Sequence, residues 1–544
     1  MLLGIDVGGT FTDAVILEAE QVARQAKVPT THNNVLEGIL KALDIVLEGI
    51  GGSVERVVIS STIITNALTE NALEPVFLGI IPGPGRNYRG QFPVEPYIFS
   101  GYVDHAGKVT APLGKEHNLH GLGTVGAVSG KFAVREPQLE HLLAHRLQQG
   151  GMKQIFLGSE LSGELNFIRR TNSAYFSAQT YYLLQDFCAK VQAAMRARGL
   201  NCPVQILKAD GGTMPLDQAL KQGVEAVLTG PAASALGIEA LAAPNVKSIS
   251  LDVGGTTTDI AFWDRGRPLM GAKGAVLKGY PTAVRSFHMR SVGIGGDSKI
   301  TKLAHGTYKV GPERIGPAVA VGGKEPTLSD ALIVAGYVSF GDYSKAQAAM
   351  ATFGQPQAEA RAIVREAVRQ LQQAIKEMLE EWAQQPVYTV DDVLKGSDFV
   401  PEQLIGVGGG APGLIKALGE AMELPVTIPL GAMVANAIGA AVARPTLAVS
   451  LRADTGQGYY LIPEGGIREP IRGYFDQGVA EGLLSAYLLK ASEAWRLPEQ
   501  TTELISSEHF SVVKNYYESA DLYNLRMQLE PGIICKVVGR EVNI

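Results

Sequence analysis

Cysteine is scarce in this 544-residue chain, which has only Cys188, Cys202 and Cys535. Odd in number and far apart, the three can form neither a disulfide framework nor a Cys-x-x-Cys metal site, which points to a reducing compartment. Cys188 falls in an apolar helical pattern that suits a small buried residue, and no cysteine is assigned a catalytic role. An excess of one charge is missing too. The 48 Lys and Arg are mixed with 54 Asp and Glu for a net charge of −6, so there is no basic footprint for nucleic acid. Long apolar runs are also lacking: none reaches the roughly 18 residues of a membrane span. Asp6 and Asp13 interrupt the first apolar stretch, and no basic region precedes it, so neither a membrane helix nor a secretory leader is expected. A cytoplasmic protein with no membrane partner is the expectation. No His-Glu-x-x-His occurs; "HNLH" at 117–120 and "EHLLAH" at 140–145 are weak metal candidates, the second reading as one face of a surface helix.

What is abundant is core material, 46% of the chain being apolar, and the length calls for two to four domains. One octapeptide pattern, Asp-Val-Gly-Gly-Thr-x-Thr-Asp, occurs twice, from Asp6 to Asp13 and from Asp252 to Asp259. Each copy is flanked by short apolar runs, "MLLGI" and "AVIL" or "SISL" and "IAFW", which reads as a β-hairpin with a glycine turn. Around the hairpins, strand and helix patterns alternate. "NNVLEGILKALDIVLEGI" has helical spacing, "VERVVISST" reads as a strand, and long helices follow at "TNSAYFSAQTYYLLQDFCAKVQAAMRARG" and "AEARAIVREAVRQLQQAIKEMLEEWAQ". The expected fold is α/β and duplicated. Residues 1–245 form the first half, 246–444 the second, and 445–544 a C-terminal α+β region. Residues of about 74–165, rich in Gly, Pro and aromatics, form an inserted α+β subdomain.

A hairpin tip with two glycines and several hydroxyls can cradle a phosphate, because the backbone N–H groups approach an anion closely. Gly8, Gly9, Thr10 and Thr12 form the first such tip, and Gly254, Gly255, Thr256, Thr257 and Thr258 the second. Asp6 and Asp252 cannot touch phosphate favourably but can hold Mg²⁺ that bridges to it. "GVGGGAPG" follows a strand and opens a helix, placing Gly408, Gly409 and Gly410 where a helix N-terminus meets a nucleotide. If the two tips grip one triphosphate, they must face each other across a cleft.

These residues give the chain a resemblance to the actin-like ATPase superfamily of sugar kinases, Hsp70 and actin. Within it the chain resembles the ATP-binding A subunit of the hydantoinase/oxoprolinase family. Its stretches occur in family order: "GIDVGGTFTD", "SSTIITNALTE", "ELSGELNFIRRTNSAYFSA", "LKADGGTMPLDQA", "VLTGPAASALG", "LDVGGTTTDIAFW", "SVGIGGDSKI", "PTLSDALIVAGY" and "GVGGGAPG". The resemblance implies ribonuclease H-like domains around a nucleotide cleft, with ATP and Mg²⁺ as cofactors. It implies an enzyme that phosphorylates a cyclic amide such as a hydantoin or 5-oxoproline and opens it, working with a B-type subunit and as an oligomer. An ATP-dependent ketone carboxylase subunit and a nucleotide-binding regulatory or chaperone-like module are the alternatives. Asp6 and Asp252 are implied as catalytic and metal-holding, with Asp13 and Asp259 supporting the hairpins. Ser61, Thr62, Thr65, Asn66, Glu164, Arg170, Thr229 and Gly230 are the candidate substrate contacts, and Thr229 is equally a candidate helix N-cap. Departures from the family pattern stand at Ile59, Ser60, Ser61 and Thr62, at Asp210, and in "RIGPAVAVGG".

Overall fold

The computed structural model describes the chain apart from residues 32–34, 51–52, 86–87, 116–118, 243, 272–273, 385–398, 496–500, 515–516 and 540–544. Both octapeptides fold as hairpins, and they do so in one register. Leu2–Val7 pairs with Phe11–Glu18 so that Asp6 faces Asp13 and Val7 faces Thr12. Ser248–Val253 pairs with Thr258–Asp264 so that Asp252 faces Asp259 and Val253 faces Thr258. The turns close alike: Gly8 N–H donates to the Phe11 carbonyl at 3.0 Å, and Gly254 N–H to that of Thr257 at 2.9 Å.

Each hairpin is extended by parallel strands into a sheet. In the first the order is Thr213–Pro215, Val204–Leu207, Arg56–Ser61, Leu2–Val7, Phe11–Glu18, Gln21–Pro29. Arg56–Ser61 runs parallel to Leu2–Val7, and Val204–Leu207 runs parallel to Arg56–Ser61. The second sheet repeats the scheme with Gln403–Val407 and then Val426–Thr427 as its parallel strands. Central strands covered on both faces are apolar throughout, as Leu3, Ile5 and Val7 beside Val57, Val58 and Ile59 show. The covering helices carry one apolar stripe each. Val35–Leu47 buries Ile39, Ala42, Leu43 and Val46, and Pro356–Ala383 buries Ile363, Val364, Ala367, Leu371 and Met378. This is the duplicated actin-like ATPase fold.

The halves meet through two helices, Thr229–Leu241 and Ala435–Val442, whose contact is made of small residues. A Cβ on Gly237 would lie 2.1 Å from the Ala435 carbonyl oxygen, and one on Gly439 would lie 2.0 Å from that of Ala233. Gly4 meets the Ala437 carbonyl just as closely, at 2.0 Å, so the first hairpin rests directly on the second of these helices.

Residues of the insert form a four-stranded parallel sheet of Gln154–Leu157, Val125–Gly130, Phe77–Ile81 and Tyr97–Ile98. The helix Gln138–Gln149 buries Leu139, Leu143 and Leu147, and "HNLH" at 117–120 falls partly outside the described residues. The C-terminal residues form an antiparallel sheet of five strands with the helix Gln477–Ala494 packed on it. Arg526 reaches across to Glu164 at 2.8 Å, and Arg468 pairs with Glu136. Among the described residues, no helix is long and apolar enough to cross a membrane.

Candidate active site

The paired registers bring the four aspartates of the octapeptides to one place, at the mouth between the two sheets. A Cβ built on Gly255 would lie 3.3 Å from the Thr10 hydroxyl of the opposite hairpin, so the two tips face each other across the cleft. The third glycine loop joins the second tip. Gly410 N–H donates to the Val253 carbonyl at 2.9 Å, and a Cβ on Gly408, whose φ is +88°, would fall 2.5 Å from Asp252 Oδ1. Gly9, Gly254 and Gly409 are left exposed at the three turns, and Thr256 and Thr257 are half-buried beside them.

Thr12 and Thr258 point elsewhere. Both are fully buried: Thr12 bonds Thr30 at 3.1 Å, and Thr258 donates to the Ile294 carbonyl at 2.7 Å. Their hydroxyls brace the strands behind the tips instead of lining the cleft. Asp13 is also spoken for, since Lys27 donates to both of its oxygens at 2.7 and 2.9 Å.

Asp6 is different. It is buried, and its Oδ1 has no hydrogen-bond partner. Burial pushes its carboxyl up to about 7; the neighbouring Ser60 hydroxyl opposes the rise, the charges of Asp13 and Asp252 add to it, and the Asn436 amide opposes it. Asp252 is raised by burial and restrained by Asn436 and Ser234, with Asn436 Nδ2 donating to Asp252 Oδ2 at 3.0 Å. Asp259 is pushed up to about 7 by burial and by the charge of Asp252. One amide, that of Asn436, therefore stands between the first aspartates of the two octapeptides.

This donor set fits a hydrated divalent cation. An orphaned carboxylate oxygen beside a second carboxylate, next to two glycine-rich turns, is the arrangement that such a cation relieves. Among the described residues no group of three or more His, Cys, Asp or Glu side chains could hold a metal, so a cation here would keep waters and phosphate oxygens, as Mg²⁺ prefers.

Six of the substrate candidates assemble beside the first hairpin. Thr229 Oγ1 accepts from Ser61 N–H and donates to the Ser61 carbonyl, both at 2.9 Å. Thr62 donates to the Val7 carbonyl at 3.2 Å, Asn66 donates to Thr62 at 3.3 Å, and Thr65 accepts from Leu228 N–H at 3.0 Å. Gly230 approaches the Thr62 methyl, with a Cβ distance of 3.8 Å. Thr229 is not a cap. The N-cap position belongs to Leu228, in the left-handed region at φ 52°, and the Thr229 hydroxyl is drawn to Ser61 instead. Glu164 and Arg170 lie apart from this group. Arg170 is fully buried, donating to the Glu164 and Gly130 carbonyls at 2.6 and 2.7 Å, and Glu164 accepts from Arg526. They pin the insert to the C-terminal sheet. The resemblance implied them as substrate contacts, and the sequence does not reveal which backbone carbonyls a buried arginine meets.

Sequence reasoning missed Ser60, Ser234 and Asn436 as supports of the two aspartates. Asn436 had a signal: it is the single polar side chain in the run "MVANAIGAAVA".

A duplicated acidic hairpin fold with both tips on one cleft defines an actin-like ATPase scaffold. The chain belongs to the hydantoinase/oxoprolinase family: residues 170–449 match the Hydantoinase/oxoprolinase domain and residues 2–121 the Hydantoinase/oxoprolinase N-terminal region. The caprolactamase subunit alpha of Pseudomonas jessenii is 24% identical over 386 residues, 62% of this chain and 55% of that protein. The acetophenone carboxylase gamma subunit of Aromatoleum aromaticum is 26% identical over 398 residues, 62% of this chain and 53% of that one. The chain thus spans about half the length of these curated relatives. The crystal structure of the ATP-dependent caprolactamase from Pseudomonas jessenii superposes with a TM-score of 0.72 at 18% identity, covering 99% of this chain and 89% of that chain.

Proposed function

We propose that the chain is the nucleotide-using subunit of an ATP-dependent hydrolase that opens a cyclic amide, a hydantoin, 5-oxoproline or related lactam, together with a B-type subunit. The observation that carries the reading is the convergence of the two hairpin tips, with Asp6 and Asp252 on either side of Asn436. Family membership supports the substrate class. Bound Mg²⁺ and ATP would supply a phosphoryl group for the amide oxygen, which makes the amide carbon electrophilic enough for water to add, the ring C–N bond to break and phosphate to be released. The chain's residues prepare that transfer. Backbone N–H groups of Gly9 and Thr10 and of Gly255 and Thr256 receive phosphate oxygens, those of Gly8 and Gly254 being used to close the turns, and Gly408 to Gly410 leave room for the nucleoside. Asp6 and Asp252, ionised, hold the cation, and Asn436 keeps both carboxylates oriented. The hydroxyls of Thr62 and Thr65 and the Asn66 amide stand next to the first tip, where the lactam is to be held.

A second reading, ATP-dependent carboxylation of a ketone, is favoured by the likeness to the acetophenone carboxylase gamma subunit. One assay separates the two: ATP hydrolysis by the chain, with and without its B-type subunit, against hydantoins, 5-oxoproline, other lactams, and ketones with bicarbonate. Stimulation by a lactam without bicarbonate is expected. Stimulation only by ketone and bicarbonate together would replace the hydrolase reading, and Asp252→Ala should abolish turnover in either case.

A further inference from the structure

The loop after the second hairpin, "GIGGDSK" from Gly293 to Lys299, carries an ion pair with no part in the scheme so far. Gly295 lies so close to the tip that a Cβ would fall 2.5 Å from the Gly255 backbone. Gly296 N–H donates to the Gly254 carbonyl at 3.0 Å and Asp297 N–H to the Gly255 carbonyl at 2.8 Å, so the loop is laid along the phosphate cradle. The Asp297 side chain therefore stands at the seam of the cleft. The point where Gly255 would carry a Cβ is 2.8 Å from Asp297 Oδ2 and 3.3 Å from Thr10 Oγ1, which come from opposite halves.

Arg314 meets Asp297 there, its Nε and Nη2 donating to the same Oδ2 at 3.0 and 2.9 Å. Both bonds fall on one oxygen, and the arginine side chain stays 33% exposed, so part of the guanidinium is open to a second anion. The cleft needs such a cation. Four aspartates converge on it, and Lys27 is committed to Asp13 and to the Met433 carbonyl. Arg314 also opens "RIGPAVAVGG", a segment in which this chain departs from its family's pattern.

We infer that Arg314 contacts the terminal phosphoryl group of the bound nucleotide, with Asp297 as the positioning residue that holds the guanidinium at the seam. The inference rests on the proposed use of ATP. A guanidinium keeps its charge, and its fork of donors matches phosphoryl oxygens. In GTPases an arginine set against the transferring phosphoryl group accelerates transfer by roughly 10³ to 10⁵.

The test measures binding of ADP and of a non-hydrolysable ATP analogue, each with Mg²⁺, to the full chain by titration calorimetry. Arg314→Gln is expected to weaken the analogue about tenfold or more while leaving ADP within about twofold. Arg314→Lys should recover part of the loss, and Asp297→Asn should weaken the analogue but not ADP. Equal losses for both nucleotides, or no loss for either, would mean that Arg314 only braces the loop, and the inference falls. If the wild-type chain binds neither nucleotide, the ATP reading itself is wrong and this inference goes with it. Should Arg314→Gln fail to fold, Arg314→Lys and Asp297→Asn decide by the same ratio.

Discussion

Asp6 is where burial of a carboxylate costs the chain stability. With its carboxyl near 7 instead of its ordinary 3.8, the folded protein holds a proton that the unfolded chain releases between about pH 4 and 7. Without metal, stability should therefore fall as pH rises through that window, and Asp259 adds to the same slope. Asp6→Asn removes one of the two charges. It should stabilise the metal-free protein at pH 8 by on the order of 1 to 3 kcal/mol in urea unfolding, and abolish ATP hydrolysis. A destabilised Asp6→Asn protein would show that the buried carboxylate is satisfied in a way the unpartnered Oδ1 does not suggest. Thr229 gives the opposite case. Thr229→Val keeps the shape but leaves Ser61 without its two hydroxyl bonds, which should cost about 1 to 2 kcal/mol by the same measurement. The chemistry of these single positions was only partly legible beforehand. Asp and Gly at fixed offsets announced two matching hairpins meeting at one cleft, whereas the burial of Thr12, Thr258 and Arg170 depends on partners 18 to 40 residues away and left no local trace.

Glycines in the hairpins and joining helices do two different jobs, and substitution separates them. Gly439→Ala would push a methyl group to 2.0 Å from the Ala233 carbonyl, forcing the two joining helices apart at a cost of about 1 to 3 kcal/mol or more. Gly9→Ala meets nothing within 4 Å, so its unfolding midpoint should stay within about 0.5 kcal/mol of wild type while nucleotide affinity drops. If Gly9→Ala leaves nucleotide affinity unchanged, the first tip is not a phosphate cradle. At this level much was readable, because a hairpin and an amphipathic helix are both coded by local period. Val35–Leu47, Phe167–Ala197 and Pro356–Ala383 stand where the helical spacing put them. The parallel sheet of the insert was not, since strands as short as Tyr97–Ile98 are set by their neighbours and lie among Pro and Gly that read as loop.

The molecule as a whole is a clamp whose two tips nearly touch. Oxidising the pair Thr10→Cys and Gly255→Cys should link the halves covalently, visible as a mobility shift without reductant, and should block nucleotide entry until reduced. Cys188, Cys202 and Cys535 are free in the structure, so the parent chain under the same oxidation is the control. Failure to cross-link would place the tips farther apart in solution. The duplicated octapeptide suggests equal halves, yet Asn436 is present only once. Its amide serves both first aspartates, Asp252 with Ser234 as second support and Asp6 with Ser60, while Asp6 Oδ1 is left bare. A near-symmetric pair thus shares one tether, and a change at Asn436 would be felt in both halves at once.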